Sequence, residues 1–234
     1  MTVLYGWHPV SEALRNPRRT IVRLLATANG LRRLQDEAVP LPEVTIVSAP
    51  EITRLLGPDA VHQGLYLEAE PLPAPDLEDL PTNSLLLALD QVTDPHNVGA
   101  IVRTAAVFGV GGIITTARHS PAVTGVLAKA ASGGLEHVPF LIVRNLADTL
   151  VSLGASGVQR IGLDSEGGTA LPDVECRRPA VLVLGSEGRG LRQRTRDCCD
   201  VVARLDVSGS IRSLNVSNAA AVALYALSGP QRSG

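Results

Sequence analysis

The chain has 234 residues, 45% of them hydrophobic and 19% charged. That is enough apolar material for one large domain, or for a small one beside a medium one, and too much for a disordered chain. The net charge of −2, from 21 basic and 23 acidic residues, excludes a uniformly basic nucleic-acid binder but leaves room for a local basic patch.

Among the basic residues only Lys129 is lysine. The rest are arginine, the better fork for phosphate. Aromatics at 3% speak against a base-stacking platform. Cys176, Cys198 and Cys199 give neither a disulfide framework nor a metal-ligand spacing, so incidental thiols in a reducing compartment are expected. The opening MTVLYGWHPVSEALR shows no basic leader ahead of an apolar run, and a cytoplasmic location is expected.

In chain order, TIVRLLAT (20–27) and EVTIVSA (43–49) read as strands. NGLRRLQDEA (29–38), with Asn29 as a possible cap, and APEITRLLG (49–57), ending at Gly57, read as helices. HQGLYLEAE (62–70) alternates like a strand. Residues 1–70 are therefore expected to form a small α/β domain. Arg15, Arg18 and Arg19 cluster around Asn16-Pro17, as a solvated turn or as a contact to RNA phosphate. Prolines 71, 73, 75 and 81 with Asp76, Glu78 and Asp79 mark 71–83 as a linker.

Residues 84–234 open with SLLLALD (84–90), a short continuous apolar run suited to a buried parallel strand. Further strands are expected at 111–116, 138–143, 158–164, 180–185 and 201–207. Helices are expected at 97–109, 122–132, 145–154, 190–198 and 214–229. This alternation argues a mostly parallel, helix-covered sheet. The longest uncharged stretch, Ser213 to Gln231, reads as a buried helix and not a membrane span.

Ligands of such sheets bind in loops beyond the carboxyl ends of the strands, and three of these loops are rich in small and polar residues. DQVTDPHNVGAIVR (90–103) holds Asn97 and Arg103. Six residues apart, they point to roughly opposite sides of a helix, and they converge only if Asn97 belongs to the preceding turn. LGSEGRGLRQRTR (184–196) sets Glu187 among Gly185, Gly188 and Gly190. Its G-x-x-G-x-G spacing is not the dinucleotide fingerprint, and the chain has no P-loop. Residues 177–196 carry six arginines and one acid, Glu187, either a solvated face or a surface for a polyanion. VSGSIRSLNVSNAAAVALYAL (207–227) offers Ser213 or Asn215 as cap of the last helix. The five histidines are scattered, so no metal site is expected.

At these loops the sequence resembles the SpoU (TrmH-type) family of RNA ribose 2′-O-methyltransferases, of the SPOUT class. Asn97-Val98-Gly99 through Arg103 looks like its first motif, Leu184 to Gly190 its second, and Ser213-Leu214-Asn215-Val216-Ser217 its third. YGWHPVSEAL (5–14) and AVHQGLYLEA (60–69) are similar to its appended substrate-binding domain. Within the family, VTDPHNVGA (92–100) points to the enzymes that methylate a guanosine of bacterial 23S rRNA. The alternatives are a tRNA 2′-O-methyltransferase and a non-catalytic RNA-binding scaffold.

The resemblance implies an α/β, SPOUT-type parallel sheet with a C-terminal trefoil knot, after a small L30e-like α/β domain. It implies S-adenosylmethionine lodged at Gly185, Leu205 and Leu214, and no metal. It implies a homodimer whose active site is completed across the interface. Asn97, Arg103, Glu187, Ser213 and Asn215 become the catalytic set, with Glu187 and Asn97 expected to orient Arg103 and the ribose.

Overall fold

The structure is a computed structural model that describes residues 1–73, 75–81, 83–118, 124–210 and 213–228. Ala122, Val123 and Gly229, at the ends of two expected helices, lie outside the described residues, as do Ala74 and Thr82 of the expected linker. Two sheets organise the chain.

The first sheet has β1 (Thr2–Tyr5), β2 (Ile21–Ala26), β3 (Val44–Ile46) and β4 (Leu65–Ala69) in the order β1-β4-β2-β3. β4 runs antiparallel to β1 and β2, and β3 pairs parallel with β2. Its helices are α1 (Trp7–Arg15), α2 (Ala28–Asp36) and α3 (Ala49–Leu56). Thr27, not Asn29, caps α2; its hydroxyl accepts from Gly30 N at 3.1 Å, so the helix starts one residue earlier. α3 carries a Ser48/Glu51 capping box and ends before Gly57, as its sequence predicts. β1 and α1 were not among the expected elements. β1 is only four residues long, whereas α1 buries Trp7, Val10, Ala13 and Leu14 on one face, a helical spacing that the sequence does contain.

The second sheet has seven strands: β5 (Leu85–Asp90), β6 (Gly112–Thr116), β7 (Phe140–Val143), β8 (Gln159–Leu163), β9 (Thr169–Ala170), β10 (Ala180–Gly185) and β11 (Val201–Arg204). Their order is β7-β6-β5-β10-β8-β11-β9 and every pairing is parallel. β5 and β10 are buried along their whole length, which is why both read as unbroken apolar runs. α4 (Pro95–Val107), α5 (Gly125–Ala131) and α8 (Val216–Ser228) share one core with the sheet. α6 (Leu146–Ala155) packs into a second core, on residues of β5, β6 and β10. The short α7 (Gln193–Asp197) packs against α6. Gly99 lets α4 approach α5: a Cβ there would run into Ala130 and the Leu127 carbonyl.

The two parts are tied together. Arg19 and Glu136 are both buried, with Arg19 Nη2 donating to Glu136 Oε1 at 2.6 Å and Arg19 Nε to Oε2 at 3.2 Å. Asn16 Nδ2 donates to the same carboxylate at 2.7 Å. Arg15 pairs with Glu12 and Glu37, and Arg18 donates to the Glu136 carbonyl. Arg19 is thus a joint inside the protein, whereas Arg15 and Arg18 are exposed.

Candidate active site

Chain order makes the site. The path goes from β5 outward through β6 and β7, jumps to β8, and then inserts β10 between β5 and β8. The direction of winding therefore reverses at β5 and β10, where a parallel sheet leaves a crevice at its carboxyl edge. Asp90 and Gly185, the last residues of these strands, are register partners.

α4 leaves this edge with Pro95 in its first turn and Asp94 as cap, Asp94 Oδ1 accepting from His96 N at 2.9 Å. Asn97 lies inside the helix, buried, and is neither the cap nor part of the preceding turn. The residues after Gly185 form a tight turn closed by reciprocal bonds between Ser186 and Gly190. Only glycine fits at 185, because a Cβ would collide with the Gly190 backbone. Gly190 has φ of +64°, the left-handed region. Asp164 fixes the base of the turn, Oδ2 accepting from Leu191 N at 3.0 Å.

This turn aims Glu187 at the start of α8. Glu187 Oε1 accepts from Asn97 Nδ2 at 3.1 Å, from Asn215 Nδ2 at 2.5 Å and from Val216 N at 3.4 Å. Asn215 Nδ2 also donates to Asn97 Oδ1 at 2.9 Å. Asn215 caps α8, its Oδ1 accepting from Ser217 N at 2.9 Å. The carboxylate thus meets the positive end of a helix, and the three loops singled out from sequence close into one network.

Beside the network opens a cleft with about 780 Å³ of empty space, mouth included. Gly185, Leu205, Leu214, Ser213 and Glu187 all line it. Leu214 is 44% exposed and Val207 40%, so large apolar side chains stand open to the cleft. Ser186, Gly188 and Gly190 of the turn line it as well. Ser213 is exposed and makes no side-chain hydrogen bond among the described residues.

Arg103 does not join its expected partners. It is exposed on α4, and among the described residues it has neither a hydrogen bond nor an ion pair. The cause is the helix repeat: Asn97 is fully helical, so a residue six positions on faces away. Among the described residues, four of the six arginines of 177–196 are paired with acids: Arg177, Arg192, Arg194 and Arg196 with Glu175, Asp90, Asp148 and Asp164. The cysteines are half-buried and form no disulfide among the described residues, and burial pushes the Cys199 thiol up to about 12. No group of three metal-ligating side chains occurs among the described residues, nor is any helix among them long and apolar enough to cross a membrane.

Residues 84–225 match the SpoU rRNA Methylase family, which brings Asn97, Glu187 and Asn215 under one family description. The chain belongs to this family. Residues 3–75 match the RNA 2′-O ribose methyltransferase substrate-binding family. The 23S rRNA (guanosine-2′-O-)-methyltransferase RlmB of Ralstonia nicotianae is 38% identical over 95% of this chain and 93% of its own length. RlmB of Pseudomonas aeruginosa is also 38% identical, over 95% and 94%. The SpoU methyltransferase AviRb from Streptomyces viridochromogenes, solved with the cofactor AdoMet, superposes with a TM-score of 0.83 at 25% identity. That match covers 99% of this chain and 91% of AviRb.

Proposed function

We propose that the protein transfers a methyl group from S-adenosylmethionine to a ribose 2′-hydroxyl of 23S rRNA, at a guanosine. The observation that carries this reading is the Glu187 turn, which joins Asn97 and Asn215 beside an apolar cleft at the carboxyl edge of a parallel sheet.

The cleft suits the donor chemically. Leu205, Val207 and Leu214 give it apolar walls, Gly185 gives it close backbone, and Glu187 and Asp164 bring carboxylates to a site that must accept a sulfonium cation. When bound, the donor supplies an activated methyl group with a neutral thioether as leaving group. The chain's own task is positioning, for which alignment of two substrates is worth roughly 7–11 kcal/mol. Glu187, held by three donors, orients Asn97 and Asn215. Ser213 and Asn215 shape the wall that faces the ribose.

Arg103 acts in the same reading as a fixed cation that grips the neighbouring phosphate and stabilises the incipient alkoxide. A phosphate oxygen or water takes the proton, because a guanidinium does not give up its own near neutrality. Within one chain Arg103 stands apart from the network, so it enters the site of a second copy. Exposed Val107 on α4, and Val222 and Tyr225 on α8, which packs against α4, give that second copy an apolar surface to cover.

The reading carries the finer architecture too: a substrate-binding L30e-like part in 1–70, a linker in 71–83, and a methyltransferase part in 84–234 with a trefoil knot, in a cytoplasmic homodimer. Supporting the knot is the placement of α8, whose first residue bonds Glu187 and which packs on α4. The test is incubation with labelled methyl donor and separate pools of 23S rRNA and tRNA, followed by mapping of the labelled nucleotide. Label in 23S rRNA at a guanosine ribose is expected. Label confined to tRNA, or absent from both, overturns the assignment.

A further inference from the structure

A second cleft is lined by residues that directly follow the 185–190 turn. It lies at the carboxyl ends of β6 and β7, against the starts of α6 and α7, and holds about 960 Å³ of empty space, mouth included. Arg118, Arg144, Arg192 and Arg194 line it, and no acidic side chain among the described residues does. Arg192 is fixed in place: its Nε donates to Asp90 Oδ1 at 2.7 Å and its backbone N to Oδ2 at 3.0 Å. Arg194 Nη2 donates to Asp148 Oδ1 at 2.6 Å. Arg118 and Arg144 are exposed and have no acidic partner among the described residues.

Arg192 and Arg194 are offset by Asp90 and Asp148, so the uncompensated charge of the cavity is that of Arg118 and Arg144, whose mutual repulsion an anion would relieve. The first amides of α6 are not available to that anion, since Asn145 Oδ1 already accepts from Ala147 N and Asp148 N. One further group points to a ligand. Thr195, fully buried, lines the same cleft, and its hydroxyl has no hydrogen-bond partner among the described residues. A buried hydroxyl rarely stays unpaired, and a phosphate oxygen would satisfy it.

We propose that this cleft holds a backbone phosphate of the RNA, close to the ribose that is methylated. The two clefts are joined through one loop, Glu187 lining the first and Arg192 the second, so a strand that enters one has the other within reach. The identity of the polymer rests on the methyl-transfer reading; the anion chemistry does not.

The test combines the exposed pair Arg118→Gln/Arg144→Gln with a buried isostere, Thr195→Val. RNA affinity is measured across salt concentrations on a 23S rRNA fragment, with KM, thermal midpoint and calorimetric binding of S-adenosylmethionine beside it. For the pair, KM for RNA is expected to rise about tenfold or more, and the salt slope to flatten by about 0.7 for each phosphate no longer neutralised. Donor affinity and thermal midpoint hold. Thr195→Val is expected to weaken RNA binding about fivefold without lowering the thermal midpoint.

Unchanged RNA affinity and salt slope in the pair overturn the proposal. So does inorganic phosphate that binds the unsubstituted protein, and not the pair, while RNA affinity stays equal, because the cleft is then a small-anion site. If the unsubstituted protein methylates no RNA, the catalytic reading fails, and the salt slope still decides the cleft.

Discussion

Asn97 donates its Nδ2–H to Glu187 Oε1 at 3.1 Å across 90 residues of chain. The bond joins the first helix after β5 to the turn after β10, and Asn215 then locks both to the start of α8. Three separate loops are held as one rigid piece.

Glu187→Ala removes the shared acceptor and leaves the buried Asn97 amide short of a partner. An unsatisfied buried donor costs about 1–3 kcal/mol, and the thermal midpoint is expected to fall by several degrees. Methyl transfer is expected to fall further than stability explains, by about tenfold or more at a temperature where the variant is folded. Glu187→Gln keeps an acceptor oxygen and should recover most of the stability but less of the rate. Equal recovery of both would make the residue merely structural.

Arg103→Ala is expected to lower kcat by about 10²-fold or more while donor binding, read by calorimetry, survives. Because Arg103 is apart from Glu187 within one chain, mixing Arg103→Ala with Glu187→Ala subunits should restore activity that neither has alone. Failure of mixed, subunit-exchanged samples to regain activity would place Arg103 outside a shared site. A pH–rate profile of Arg103→Lys separates proton acceptor from clamp: a base shifts the profile, a clamp lowers it uniformly.

The parallel sheet was readable because β5 and β10 are buried on both faces and so appear as apolar runs between turn residues. The cleft was readable through its glycines and Glu187, since a carboxylate among glycines has no packing role. What sequence left undecided was direction. Whether Asn97 opens α4 or lies within it depends on which of Asp94 and Asn97 caps the helix, and Asp94-Pro95 decided it. Arg19 looked like its neighbours Arg15 and Arg18, yet is buried, because its partner Glu136 is 117 residues away. Charge pairs of that range leave no local signal.

Burial, before any charge, pushes the Cys199 thiol up to about 12, and the neighbouring Cys198 adds to this. At pH 8 only about one Cys199 in 10⁴ is then a thiolate. Alkylation of the native protein, mapped by mass spectrometry, is expected to spare Cys199 and to rise with pH well past 9. The linkage has a definite sign. An unfolded thiol ionises near 9, so between about 9 and 12 the folded state retains the proton that the unfolded state loses, and stability falls as pH rises. Cys199→Ala should flatten that alkaline limb. Rapid labelling at pH 8 would contradict the burial.

Arg19 and Glu136 fix the first sheet to the second. Their side chains are 4% and 3% exposed, so neither charge has water to fall back on. Removing one partner of such a pair costs about 3–5 kcal/mol, largely through the charge left behind. Arg19→Met strands the Glu136 carboxylate with Asn16 as its one remaining side-chain donor among the described residues, and the thermal midpoint is expected to drop by about 6–20 °C. The double variant Arg19→Met/Glu136→Leu removes both charges and should lie nearer the starting protein than either single change. That non-additivity, read from a thermal double-mutant cycle, distinguishes a buried ion pair from two independent packing residues. Purely additive losses would mean that the joint is held by its apolar surroundings, and that the salt bridge follows from them.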